Sequence, residues 1–261
     1  MSQSSVTAVQ TTVEDTVGYI TLAEPERRNP LSVATMRALQ RALNELSANA
    51  SVRVIVIRAD GPAFSAGHDL TEVVGRSLDE EREIFAVCTD MMQTIHRVHQ
   101  PVIAAVQGIA LAAGCQLVAS CDLAVASSTA RFGTPGVKIG LFCSTPMVAL
   151  TRAIGRKQAM RMLLTGQMID AATALHWGLV NEVTTPDTLD AVTRSLAETI
   201  ANSSAQTLSI GKEAFYRQID LSEDDAYQAM QEVMATNAVT CDALEGISAF
   251  LEKREPQWQN R

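Results

Sequence analysis

The chain has 261 residues, enough for one large domain with a full core, and its 47% apolar and 19% charged residues place it with soluble globular proteins rather than disordered or fibrous ones. A net charge of −8 excludes a general basic surface, so nucleic-acid binding driven by counterion release has little to act on, and an anionic ligand needs a local basic pocket. Five cysteines without CxxC spacing exclude a zinc ribbon or a disulfide framework and read as reduced thiols.

In chain order, residues 1–16 carry neither the basic and apolar blocks of a signal peptide nor the arginines of a transit peptide, which leads to the expectation of a cytoplasmic protein. No apolar run reaches the roughly 18 residues that would suggest a membrane-spanning helix. Residues 6–22 predict two strands around Glu14, Asp15 and Thr16, with clear alternation at Val17, Tyr19 and Thr21. Ser32 then stands as an N-cap before Val33, Met36, Leu39, Leu43 and Leu46, whose spacing of three to four puts one apolar stripe on a helix. Val54, Ile55, Val56 and Ile57 run without alternation, as a strand buried on both faces of a parallel sheet does.

A helix over 78–99, a second buried strand over 102–106, a glycine-bearing turn, a small-residue helix over 112–119 and a third buried strand over 123–126 follow. Three strand-to-helix units in succession predict α/β winding with right-handed crossovers. From about residue 145 the pattern is helical, over 156–164, 171–177, 189–201, 205–216, 223–236 and 243–253. The expected organisation is an α/β core over 1–200 and a C-terminal helical region over 201–261, forming one structural unit.

Two turns rich in glycine and alanine, at 64–70 and 108–116, each follow a buried strand, where α/β folds place ligands. Small side chains let a ligand approach the backbone, and N–H groups at a helix start favour negative charge, so these turns suit an anion or a polarised oxygen; tight packing of helix on sheet uses the same residues. A dinucleotide site is excluded because no G-x-G-x-x-G follows either strand, a P-loop is absent, and no G-x-S-x-G offers a serine nucleophile.

At these turns the chain resembles the crotonase superfamily, the enoyl-CoA hydratase/isomerase family. FSAGHDL, PVIAAVQGIALAAGCQLVASCDLAVAS, ARFGTPGVKIGL, LLTGQMIDAATALHWGLVNEV and GISAFLEKR fall in the family's order over about residues 10–255. The resemblance implies an α/β, crotonase-like spiral of ββα units with a helical C-terminal trimerisation region, as a homotrimer or a dimer of trimers. It implies an acyl-CoA substrate, no cofactor beyond the coenzyme A carried by that substrate, no metal, and no nucleic-acid or membrane partner. The paired N–H groups of an oxyanion hole would come from Ala66 and Ala113, and such donors contribute about 3–4 kcal/mol each to an oxyanion. Coenzyme A contacts would come from Arg28, from Ala66, His68, Asp69 and Leu70, and from Phe250 and Lys253 on the last helix.

The chain departs from the family where the chemistry lies. The two glutamates that activate water and deliver a proton in the family's hydratases correspond to Gln116 and Gly136. Glutamine is no general base at neutral pH and glycine has no side chain; each lost proton-transfer group costs about 10²–10⁴ in rate. The segment LFCSTP replaces a glycine-rich stretch, brings the Cys143 thiol to the pocket wall, and resembles a divergent subgroup, the enoyl-CoA hydratase domain-containing homologues. Among possible substitutes, His68 is expected to point outward, Asp69 to shape its loop, Cys143 to be a buried structural thiol, and Ser144 and Thr145 to cap the next helix. His96 and His99 are one helical turn apart but lack the further ligands of a zinc site. The sequence therefore predicts an acyl-CoA binder with an oxyanion hole and weak or absent hydration; the other reading is a non-catalytic acyl-CoA-binding or assembly subunit.

Overall fold

Alternation along four parallel strands sets the architecture of the computed structural model, which describes residues 7–260. Val54 and Val56 of the strand Val54–Ala59 face one way, Ile55 and Ile57 the other, and all four are buried. The main sheet runs in the order Val9–Glu14, Val17–Leu22, Val54–Ala59, Val102–Val106, Leu123–Ser127 and Glu182–Thr184. Its first pair is antiparallel, the expected hairpin, and every other pair is parallel. Residue 6, at the expected start of that hairpin, lies outside the described residues, as do the rest of 1–5 and residue 261 at the outer bounds of the expected regions.

One face of the sheet, with Tyr19, Val54, Val56, Ile103 and Val125, packs under the helix Leu189–Ala201 through Leu189 and Ala197. The other face, with Ile20, Ile55, Ile57, Val102 and Ala104, packs against Met36, Leu39 and Leu43 of the helix Val33–Ala48 and Met91 and Ile95 of the helix Leu78–Arg97. Covering on both faces is why the strands read as unbroken apolar runs. Ser32 caps the first of these helices by accepting from Thr35 N–H, and Ser77 with Glu80 forms a capping box on the second.

After each of three core strands the chain adds a very short strand, and these short strands form a second sheet. Ala63–Ser65, Ile109–Leu111 and Arg131–Gly133 lie parallel, and Ile169–Asp170 joins antiparallel. Long strand, short strand, helix is the repeating ββα unit of the expected spiral, and it leaves the turns after the short strands side by side. A separate two-stranded pairing joins Pro30–Leu31 to Gly67–His68.

Three helices, Ala205–Gln218, Glu223–Ala238 and Cys241–Glu252, close the chain. The first is tied to the core by Lys212, whose ammonium donates to Ile95 O (2.7 Å) and Gln100 O (2.8 Å) and pairs with Asp122 (2.7 Å). Tyr216 donates to the same Asp122 carboxylate (2.7 Å) and stacks on His96 with ring centroids 4.0 Å apart. These helices also leave Tyr227, Met234, Phe250 and Leu251 exposed.

Candidate active site

The helix Ala113–Ser120 begins without a side-chain cap, after Ala112 at φ 49° and ψ −117°, a conformation rarely adopted by a residue with a Cβ and one that costs about 1–3 kcal/mol. Its first internal bond is Gln116 N–H to Ala112 O (3.0 Å), so the N–H groups of Ala113 and the two residues after it have no acceptor within the helix. Gly67, at φ +95°, lies against this start: a Cβ there would meet Leu111 O at 2.9 Å, Ala112 Cβ at 3.0 Å and Ala113 N at 3.3 Å. Only glycine supplies both the conformation and the closeness, and the two turns singled out in the sequence converge here.

Ala66, however, does not offer its N–H to this point. It donates to Arg28 O at 3.0 Å, which corrects the expectation that Ala66 and Ala113 form the donor pair. The cause is a left-handed turn at Arg28 (φ 63°) and Asn29 (φ 51°), held by the buried Asn29 amide, which donates to Asp60 O (2.9 Å) and Ala63 O (2.8 Å) and accepts from Glu24 N–H (2.9 Å). The next amide, of Gly67, donates to Ser65 Oγ at 3.2 Å.

A cavity of about 590 Å³ opens over this junction, bounded by Ala66, His68, Leu70 and Phe85, by Ala112 and Ala113, and by most of the segment 135–146. No Asp or Glu is among its lining residues. A Cβ on Gly136 would lie 2.0 Å from Leu141 O and 2.9 Å from Cys143 Sγ, so the LFCSTP segment fills the space in which a side chain at 136 would begin. Gln116 is buried one turn along the helix from Ala113, and its Oε1 has no hydrogen-bond partner among the described residues.

The remaining predicted residues divide. Leu70 lines the cavity at the start of a short helix, and Asp69 caps that helix by accepting from Thr71 N–H (3.1 Å) and Oγ1 (2.7 Å). The Thr71 hydroxyl, with Arg27, holds the Asp69 carboxyl below its usual range, so it is a structural acceptor, as expected. His68 departs from expectation. It turns inward, edge-on to Phe85 with centroids 5.4 Å apart, both ring nitrogens shut off from solvent and unpartnered. Burial pulls its pKa below the ordinary imidazole value, against weaker opposition from the Leu31 backbone and Glu72, so it is neutral at pH 7.

Cys143 is buried at the wall, and burial pushes its thiol up, away from the thiolate a nucleophile needs. It also occupies the cap position of the helix Ser144–Ala153, where no side chain caps; Ser144 Oγ donates to Phe142 O (3.4 Å), which corrects the capping role expected of Ser144 and Thr145. Arg28 is exposed and has no ion-pair partner among the described residues. Phe250, 82% exposed, and Lys253, in the left-handed conformation at the end of the last helix, are not among the cavity residues of the single chain. His96 and His99 engage Ser120 O (3.0 Å) and Ser209 Oγ (3.1 Å). Sequence reasoning missed Phe85, on a helix with no motif of its own, and Lys138, inside the segment ARFGTPGVKIGL but given no role there.

The enoyl-CoA hydratase/isomerase family model matches residues 12–261. The chain belongs to the enoyl-CoA hydratase/isomerase family. It is 42% identical over 260 residues to enoyl-CoA hydratase domain-containing protein 3, mitochondrial, of Mus musculus, covering 99% of this chain and 87% of that one. To the Homo sapiens protein of the same name it is 45% identical over 249 residues, covering 94% and 82%. Among solved structures, an enoyl-CoA hydratase of Mycobacterium smegmatis superposes with a TM-score of 0.94 at 46% identity, covering 96% of this chain and 98% of that one. Human enoyl-CoA hydratase domain-containing protein 3 does so with a TM-score of 0.94 at 44% identity, covering 96% and 100%.

The family's fold is thus that of the ββα spiral described above. The mouse, rat and human relatives are named as mitochondrial, and this corrects the cytoplasmic expectation. That expectation rested on the composition of residues 1–16, and a targeting segment is an address separate from the folded chain that carries the family match.

Proposed function

We propose that this enoyl-CoA hydratase/isomerase family protein binds an acyl-CoA thioester with its carbonyl oxygen at the Ala113 amide, and that it hydrates enoyl thioesters weakly or not at all. The observation that carries the reading is Gly136 against Leu141 O: the position of one hydratase acid is closed by backbone, while the other holds Gln116. The Ala113 N–H supports the oxygen site because it stands at a helix start beside the cavity, where charge developing on a thioester oxygen meets a fixed dipole. With the Ala66 amide bound to Arg28 O and the Gly67 amide to Ser65 Oγ, the second donor is assigned to the His68 main-chain N–H, the next amide along the loop.

Coenzyme A is part of the substrate and no other cofactor is required. Arg28, exposed and without an ion-pair partner among the described residues, suits the coenzyme A phosphates. The exposed apolar side chains of the last helices suit self-association as a homotrimer or a dimer of trimers, which would bring Phe250 and Lys253 into contact with other copies.

Crotonyl-CoA turnover, followed by loss of the enoyl absorbance, tests the chemistry, and an acyl-CoA thermal shift tests the binding. The expected outcome is turnover lower than that of a two-glutamate hydratase by at least about 10⁴, since two proton-transfer groups are missing. At a ligand concentration of 100 Kd, about 2.7 kcal/mol of stabilisation raises Tm by several degrees. Turnover near that of a working hydratase overturns the first part, and no shift with any acyl-CoA overturns the second. Binding without turnover of any thioester favours the non-catalytic subunit, which the missing carboxylates already support.

A further inference from the structure

The groups around the cavity that bear charge or a free polar atom are one-sided. Among its lining residues Lys138 is the sole ionic side chain, and His68 alone has polar side-chain atoms shut off from solvent and unpartnered. Lys138 belongs to the turn Pro135–Ile139; its stem lies over Gly166, with Cε and Cγ 3.1 and 3.2 Å from where a Cβ would stand, and its ammonium has no carboxylate partner among the described residues.

The carboxylates near His68 are engaged elsewhere. Asp69 is held by Thr71 and Arg27, and Glu72 accepts the Val33 N–H at 2.8 Å, at the start of the helix Val33–Ala48. A cavity with two ionised glutamates would repel an anionic acyl group. This one is lined by one cation and no carboxylate, with Gln116 and Gly136 at the positions of those charges.

We propose that the acyl group taken by this cavity carries its own carboxylate: the substrate is the mono-coenzyme A thioester of a short dicarboxylic acid, with the free carboxylate paired with Lys138. The proposal rests on the acyl-CoA reading above. It gives the exposed ammonium a counter-charge, and it needs no acid at 116 or 136.

Calorimetric titration of the full chain with glutaryl-CoA and pentanoyl-CoA, equal in acyl length and identical in their phosphates, tests it. The expected result is a Kd for glutaryl-CoA at least about tenfold lower, with the preference shrinking as salt is raised. Lys138→Met should abolish the preference, the loss falling on glutaryl-CoA. Equal affinities for the two thioesters overturn the proposal while leaving acyl-CoA binding intact. An equal loss of both in Lys138→Met overturns it too, and assigns Lys138 to the coenzyme A phosphates. Failure of both thioesters to bind overturns the acyl-CoA reading itself, and this proposal with it.

Discussion

The carbonyl oxygen of Leu141 lies 2.0 Å from where a Cβ on Gly136 would be, so the backbone of the LFCSTP segment and a side chain at 136 exclude one another. Restoring the two acids should therefore have unequal effects. Gln116→Glu replaces an amide of the same shape and should leave the fold intact. Gly136→Glu must displace the 141–143 backbone, and overpacking of this kind costs about 1–3 kcal/mol or more. Thermal unfolding should place the Gly136→Glu variant several degrees below the parent and Gln116→Glu close to it, and crotonyl-CoA hydration should stay weak in the double variant. Strong hydration in the double variant would show that the loop yields to the side chain.

Gly67→Ala tests the junction of the two turns. The new methyl group would lie 2.9 Å from Leu111 O at a φ of +95°, so both sterics and conformation oppose it. A destabilisation of about 1–3 kcal/mol is expected, together with weaker acyl-CoA binding, because the Ala113 amide moves with Leu111 and Ala112. Chemical denaturation and calorimetry on the same variant measure the two effects; unchanged affinity would detach the Ala113 amide from the thioester.

How much of this was legible in the sequence follows from the reach of each cause. Val54 to Ile57 and Val102 to Val106 read correctly because burial on both faces leaves an unbroken apolar run, and Ser32 announced its helix through a local hydrogen bond. The second sheet was invisible, since Ala63–Ser65 and Ile169–Asp170 are too short to show any period. In the site, Gly67 and Ala113 could be placed from their motifs. The diversion of the Ala66 amide depends on a left-handed pair at Arg28 and Asn29 nearly forty residues earlier, with no local signal. The inward turn of His68 depends on Phe85, on a helix that its own sequence marks only as amphipathic.

The clasp around Asp122 predicts how the C-terminal helices are held. Lys212 and Asp122 are 7% and 16% exposed in their side chains, and breaking a buried pair from one side costs about 3–5 kcal/mol because the remaining charge is stranded. Lys212→Met should lower Tm by about 6–20 °C for a domain of this size. Arg152→Met, which removes an ion pair to Asp220 that is 56% and 69% exposed, should change stability by less than about 1 kcal/mol. Differential scanning calorimetry on both variants checks the contrast; equal small effects would mean that Asp122 is satisfied by Tyr216 and Val102 N–H alone.

The buried imidazole of His68 also makes stability depend on pH, and the sign follows from its depressed pKa. Burial lowers that pKa in the folded state, while the unfolded chain keeps the ordinary value near 6.5, so on acidification the unfolded state takes up the proton first. The contribution of neutral His68 is complete above about pH 6.5 and is lost as pH falls through the folded-state value. His96, depressed by burial in the same direction, adds to the loss. Denaturant midpoints at pH 7.5 and 5.5 should therefore fall in the parent, and fall less in His68→Phe, which has no proton to take up at that site. An identical fall in both proteins would mean that His68 titrates as an exposed histidine does, and that its nitrogens are open to water.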